Sequence, residues 1–415
     1  MIMEVLRKIF IIYLFVFPTL VEAQTLENYI QEAQESNPKL QSSYKQFEAA
    51  LEKINQVGAL PSPTLSFGYF ISPVETRVGP QQAKLSLSQQ FPWFGTQQAM
   101  EDLASIEAKV KYQEFINLQN LISYDVQQAY YNVFEVVQHL KWQQENIKLL
   151  ETYKQLATSA FSNSKGALTD VLRTEIEIKS TKTDIVLLQK ALKPLTITFN
   201  RLLNRPDSSS ILMKDSILIS NFQETSNFRN LLNNHPSILT IAHREEIEKQ
   251  RQQVIKKQGL PQIGAGIDYV FVGKRTDNIV AGNGTDILMP MVSLSLPIYR
   301  KKYKAAIRES ELLNEAHLLS KTDIQNSLIS NYNQVIYQMQ QAITLYELYN
   351  EQITTTNQMV KLLLSAYKNS GKDFEDILIA QQKLIKYEIS KVTALKNYHI
   401  GQAKLNYLLS NTVLN

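Results

Sequence analysis

The chain has 415 residues and carries 43 basic against 39 acidic side chains, a formal net charge of +4, and no cysteine. So near a balance, dispersed along the chain, excludes the concentrated basic field that nucleic acid requires. The absence of thiols excludes disulfides, thiolate metal sites and a lipid-modified cysteine at the mature N-terminus.

Residues 1–23 read as a secretory signal: Arg7 and Lys8 supply the positive region, Ile9 to Phe17 the apolar core, and Val21-Glu22-Ala23 a small-residue cleavage site. The mature protein is then expected to begin at Gln24. Asn37-Pro38 reads as an N-cap followed by a proline in the first turn, where a missing N–H costs nothing. That helix is expected to run to about Val57. Strands are expected at 64–71 and 83–91. They are followed by 70 residues, Thr96 to Lys165, with neither proline nor glycine. At 1.5 Å per residue such a run makes a helix roughly 100 Å long, against about 11 to 12 residues for a globular average.

After a turn near 163–168 a further helix is expected, and then a polar linker over 205–230 with a short strand-like stretch, Ile211 to Ile219. The plan then repeats: strands at 262–272 and 289–296, a 73-residue run without proline or glycine from Ile298 to Ser370, a turn near 369–374 and a last helix. Asn37-Pro38 recurs as His235-Pro236, Phe91-Pro92-Trp93-Phe94 as Leu296-Pro297-Ile298-Tyr299, and Asp170-Val171-Leu172 as Asp376-Ile377-Leu378. The offset drifts from 198 to 206, as small loop insertions cause, so two tandem repeats are expected, over 24–204 and 231–415.

In the expected strands Leu85, Leu87 and Phe91 alternate with Lys84, Ser86, Ser88 and Gln90, and Ile263, Ala265, Ile267, Tyr269 and Phe271 with Gly264, Gly266 and Asp268. This is the apolar-out, polar-in dyad of an outer-membrane barrel, and equally that of a half-buried sheet in a soluble protein. Four strands do not close on themselves, and lipid does not satisfy open edges. Either the sheet lies in a soluble body, or three chains pool twelve strands; the signal and the rods favour pooling. In the rods, Ile122, Val126, Ala129, Val133, Val136 and Leu140 keep a 4-3-4-3-4 spacing, and Leu328, Tyr332, Val335, Met339, Ala342 and Tyr346 keep it again. That is a narrow coiled-coil seam.

With these residues in place, the chain resembles the TolC-like outer-membrane efflux proteins over essentially its mature length. The duplicated plan and the tips ending Asp170-Val171-Leu172 and Asp376-Ile377-Leu378 carry the resemblance. Arg77-Val78-Gly79-Pro80, with Gln89-Gln90-Phe91-Pro92-Trp93-Phe94-Gly95, is more similar to the branch that includes heavy-metal cation-efflux channels. The resemblance implies a mixed α and β membrane protein, a homotrimer with a 12-stranded β-barrel in the outer-membrane lipid and an α-helical coiled-coil barrel crossing the periplasm. A periplasmic adaptor (membrane fusion) protein and an inner-membrane pump are implied as partners, in tripartite efflux or type I secretion. The channel itself performs no chemistry. Thr169 and Asp170 of the first tip, with Tyr367 and Lys372 of the second, fall on latch positions. Asp376 falls on an entrance ring of acids; the ring's second acid is replaced by Ile379, with Asp373 and Glu375 nearby as substitutes. The alternative role for Asp170 and Asp376 is to cap the helices that follow.

Five scattered histidines form no close metal-ligand pair, and Gly264-Ala265-Gly266 lacks a third glycine at phosphate-loop spacing. No catalytic residue, metal site or cofactor is expected. The competing class is an exported coiled-coil scaffold or adhesin with a small soluble β-sheet, distinguished by solubility without detergent.

Overall fold

The computed structural model describes residues 26–213, 217–219, 228–278, 280–370 and 374–410. The expected secretory signal, and the tip residues Lys372 and Asp373, lie outside them. In chain order the elements are α1 (Leu26–Ser36), α2 (Pro38–Gly58), β1 (Thr64–Thr76), β2 (Gly79–Phe91), α3 (Thr96–Ser162), α4 (Leu168–Leu202), α5 (Phe228–Leu232), α6 (Pro236–Gln258), β3 (Gln262–Val272), β4 (Ile287–Ser295), α7 (Arg300–Ser370) and α8 (Phe374–Leu409). The short α5 crosses the expected linker boundary at residue 230. The strand-like stretch expected over 211–219 is not a strand where it is described; residues 211–213 and 217–219 run without sheet partners and lay Ile211, Met213, Ile217 and Ile219 on the helices instead.

The two proline-led helices are set end to end with the helices that close each half. Asn37 is extended, and its Oδ1 accepts from the amides of Lys39 and Leu40, capping α2. Its Nδ2 donates to the Leu202 carbonyl at the far end of α4 (2.8 Å), and the Ser36 hydroxyl donates to the Leu203 carbonyl (2.7 Å). One residue thus satisfies orphan groups of two helix ends. His235 caps α6 in the same way, accepting from the Ser237 amide, and meets Tyr407 near the end of α8 edge-on. The 21 and 35 residues of α2 and α4 together span about 85 Å, close to the roughly 100 Å of the 67-residue α3.

Helix α3 is the spine. Its first half packs against α2 and α6, with Lys53–Glu107 at 2.9 Å and Arg244–Glu114 at 3.0 Å; its second half packs against α4 and α8, with Glu135–Lys396 at 3.0 Å. The expected seam residues Ile122, Val126, Ala129 and Val133 are buried, as are Leu328, Tyr332, Val335, Met339 and Ala342; Val136, Leu140 and Tyr346 are half-buried. Separate apolar cores form where the end-to-end helices meet, around Tyr29, Tyr130 and Phe199 and around Tyr332, Met339 and Tyr398, and a third forms at the tips.

The strands form one antiparallel sheet in the order β1-β2-β3-β4. β1 and β2 run past the expected 71 and start before 83, because the chain reverses sharply through Arg77-Val78 into Gly79 at φ 130°. A Cβ at Gly79 would stand 1.8 Å from the Gly273 carbonyl oxygen, so no other residue fits that crossing. A register shift between Tyr69 and Val74 absorbs Pro73. β4 spans 287–295, starting two residues before the expected 289 and ending one short of the expected Leu296.

Candidate functional sites: the sheet face and the helical tips

The register gathers most of the apolar residues of the four strands on one face. One row across the sheet reads Leu65, Leu87, Ile267, Pro290, and the next reads Phe67, Leu85, Tyr269, Leu288. The face is bare: Phe67 is 67% exposed, Ile71 93% and Val292 83%. Exposed apolar area this continuous marks a surface that meets something apolar. The opposite face carries Ser66, Ser86 and Ser88, together with Lys84 ion-paired to the buried Asp268. It is less uniformly polar than the alternation implied, since β4 places Met289 and Met291 there. The outer edges of β1 and β4 have no strand partner among the described residues. No helix of the described residues is long and apolar enough to cross a membrane.

At the other end of the rods, α3 stops at Ser162 and turns through Ser164, the residue in the left-handed region (φ 59°). The Lys165 amide donates to the Ala160 carbonyl (2.8 Å), closing the helix end. Gly166 lies within the expected turn at 163–168 and faces Tyr367. A Cβ there would lie 3.0 Å from Ala160 Cβ and 3.2 Å from the Tyr367 hydroxyl, so the missing side chain leaves Tyr367 uncrowded.

Tyr367 is 3% exposed, packs on Phe374 (5.0 Å) and joins Leu150, Tyr153, Ile178 and Ile377 in the tip core. Its buried hydroxyl has no hydrogen-bond partner among the described residues. Burial, with a smaller contribution from Asp170, pushes its pKa up. Thr169 is exposed and Asp170 half-buried, so the structure brings Asp170 and Tyr367 of the expected latch into one neighbourhood.

Ala167, with no side-chain cap bond, takes the cap position of α4; Asp170 sits in the first turn, its amide donating to the Ala167 carbonyl. Asp376 and Glu375 occupy the first turn of α8. All three acids therefore favour their helix dipoles, and Asp170 is not the N-cap residue of α4. Asp376 and Ile379 are exposed, whereas Glu375 forms an ion pair with Arg173 of the first hairpin. Arg173 was not singled out by sequence. The offset of 206 sets it opposite Ile379 and sets Glu375 opposite Thr169, so the pair joins unlike members of two matched positions.

Residues 29–205 match the sequence profile of the family described as Outer membrane efflux protein. No curated protein sequence matches the chain. Among solved structures, the outer membrane protein VceC of Vibrio cholerae superposes with a TM-score of 0.72 at 15% identity, over 92% of this chain and 95% of that one. CusC gives 0.78 at 13%, over 94% and 92%. The MtrE outer membrane channel of Neisseria gonorrhoeae, in its open state, gives 0.75 at 17%, over 92% and 88%. Residues 29–205 thus match the outer membrane efflux protein profile, and the described chain shares the fold of the VceC, CusC and MtrE channels.

Proposed function

We propose that the chain is one subunit of a trimeric outer-membrane efflux channel that continues as a helical duct through the periplasm. The observation that carries this reading is the four-stranded sheet with one bare apolar face and two open edges, attached to helices of about 100 Å. Because four is even and the strands alternate, β4 of one copy meets β1 of the next antiparallel, and the ring closes without an edge. Two copies give eight strands, a barrel that side chains fill. Three copies give twelve, the first of these rings to leave an aqueous bore. The helical layer supports the same closure. α4 and α7 form its outer members, exposing Leu168, Leu172 and Ile176 on one side and Leu348, Met359 and Leu362 on the other.

In this reading the two halves of the chain are tandem structural repeats. The hairpin tips form the gated inner end, where a periplasmic adaptor and an inner-membrane pump dock. Thr169, Asp170, Tyr367 and Lys372 act as latch residues, and Asp376, Asp373 and Glu375 line the entrance. The buried Tyr367 hydroxyl beside Asp170, unpartnered among the described residues, supports the latch, because such a group gains from any donor or acceptor brought to it. The test is fractionation and planar-bilayer recording of the full chain. Trimers in outer-membrane fractions that conduct ions are expected, with conductance rising in Asp170→Ala and Lys372→Ala while assembly is kept. A detergent-free soluble monomer would refute the channel, and unchanged conductance in both variants would refute the latch.

A further inference from the structure

The two strand-to-helix junctions do the same structural work with opposite charge. After Phe91-Pro92-Trp93-Phe94-Gly95, α3 opens Thr96-Gln97-Gln98-Ala99-Met100-Glu101-Asp102, with two acids and no cation. After Leu296-Pro297-Ile298-Tyr299, α7 opens with Arg300, Lys301, Lys302 and Lys304 and reaches Arg308 before its first acid. Cations in a helix's first turn oppose its dipole, so this composition works against α7 unless something anionic meets it. The last turn of α6 adds Lys256 and Lys257. Arg300 is tied to the Gly259 carbonyl (2.7 Å), which joins α6 to α7, and Lys257 reaches the Phe94 carbonyl (3.5 Å). The remaining four, Lys256, Lys301, Lys302 and Lys304, are exposed, and none forms an ion pair with an acid among the described residues. Directly above them stand bare apolar side chains: Phe94 is 80% exposed, Ile298 70% and Tyr299 82%.

We propose that this lysine collar holds the headgroups of anionic phospholipids in the leaflet bordering the helical end of the barrel. The inference rests on the outer-membrane reading. Aromatic side chains at headgroup level with cations just beyond them match the two layers of a lipid interface, and a lysine near an anionic surface contributes on the order of fivefold in binding. A collar on the second junction alone places the cations at one site per subunit rather than in an even belt.

The test uses the full chain in nanodiscs of equal phosphatidylethanolamine and phosphatidylglycerol, extracted in mild detergent, with retained lipid counted by mass spectrometry. The wild type is expected to retain phosphatidylglycerol preferentially, and Lys301→Gln/Lys302→Gln/Lys304→Gln to lose that preference at least ~10-fold. The control Lys182→Gln/Lys190→Gln/Lys193→Gln on α4 is expected to keep it. Equal retention by wild type and collar variant overturns the proposal. So does a collar variant that loosens the trimer in lipid-free detergent, which would assign the lysines to acids of a neighbouring copy. A shift in ion selectivity with lipid retention unchanged overturns it too, placing them in the bore. A wild-type chain that does not insert refutes the membrane reading itself, whereas insertion without lipid preference refutes only this inference.

Discussion

Neighbouring residues of β2 offer a test that separates a lipid-facing sheet from a soluble one. Leu87 lies in the apolar row between Leu65 and Ile267, while Ser88 points to the other face between Thr64 and Gly266, where the glycine leaves room for a long side chain. Arginine on the lipid face of a barrel costs about 2 to 4 kcal/mol at mid-membrane, or about 30- to 700-fold in the folding equilibrium per copy. Arginine on the bore side meets water and costs little. In a soluble sheet the difference disappears: Leu87 is already 47% exposed in the single chain, and such surface changes stay within about 0.5 kcal/mol. The assay is folding of Leu87→Arg and Ser88→Arg into phosphatidylcholine vesicles, followed by the heat-modifiable shift on gels and by urea titration. Leu87→Arg is expected to lose most of its folded fraction and Ser88→Arg to resemble the wild type. Equal losses in the two variants would refute the placement of the apolar face in lipid, whatever their absolute size.

Three further outcomes are expected. Asn37→Ala removes a cap worth about 1 kcal/mol and strips the Leu202 carbonyl of its donor, whereas Asn37→Ser keeps a capping oxygen and loses only the donor; melting temperatures in detergent should rank wild type, Ser, Ala. Arg173→Glu should raise single-channel conductance and Arg173→Glu/Glu375→Arg should restore it, although the pair is about half exposed and worth only about 0 to 1 kcal/mol per copy; no change in either variant would reduce the pair to surface decoration. Burial pushes His235 and His399 down to about 4, against about 6.5 in an unfolded chain. The unfolded state therefore takes the proton first, so stability falls as pH drops from about 6.5 to about 4 and is level below that. The loss is on the order of 3 kcal/mol per site, and His399→Phe, which keeps the stack on Tyr131, should flatten its share of the acid profile in denaturant titrations.

How much of this was legible follows from the range of the interactions. The helix ends could be read because a cap is local: Asn37 and His235 stand beside the prolines they precede, and their amide partners lie two or three residues on. The strand faces could be read because period-2 alternation survives any partner. What one strand cannot announce is its neighbour: alternation within β4 already sets Met289 and Met291 with Ser293 and Ser295, and only the register of β4 on β3 brings Met289 opposite Asp268 and Ile287 opposite Val270.

The tips show the same boundary more sharply. Self-alignment at an offset of 206 brings Thr169 to Glu375 and Arg173 to Ile379, and read as a symmetric repeat it pairs none of them correctly. The ion pair crosses the diagonal, from Arg173 to Glu375, because the two hairpins are not interchangeable at their ends. Phe161 is exposed while its counterpart Tyr367 is buried against Gly166, where a Cβ would crowd its hydroxyl at 3.2 Å. In the proposed tandem-repeat reading the two halves share one frame, and the places where they depart from one another carry what that frame cannot. The tyrosine-for-phenylalanine difference sets a lone buried hydroxyl at the tip, and the lysines of α7 stand where α3 has glutamines and acids. Because the frame is shared, each departure can be tested by writing one copy's residue into the other. Tyr367→Phe should leave the tip core packed and remove only the hydroxyl, so any change in conductance belongs to that atom; an unaltered channel would leave the hydroxyl without a part in the gate.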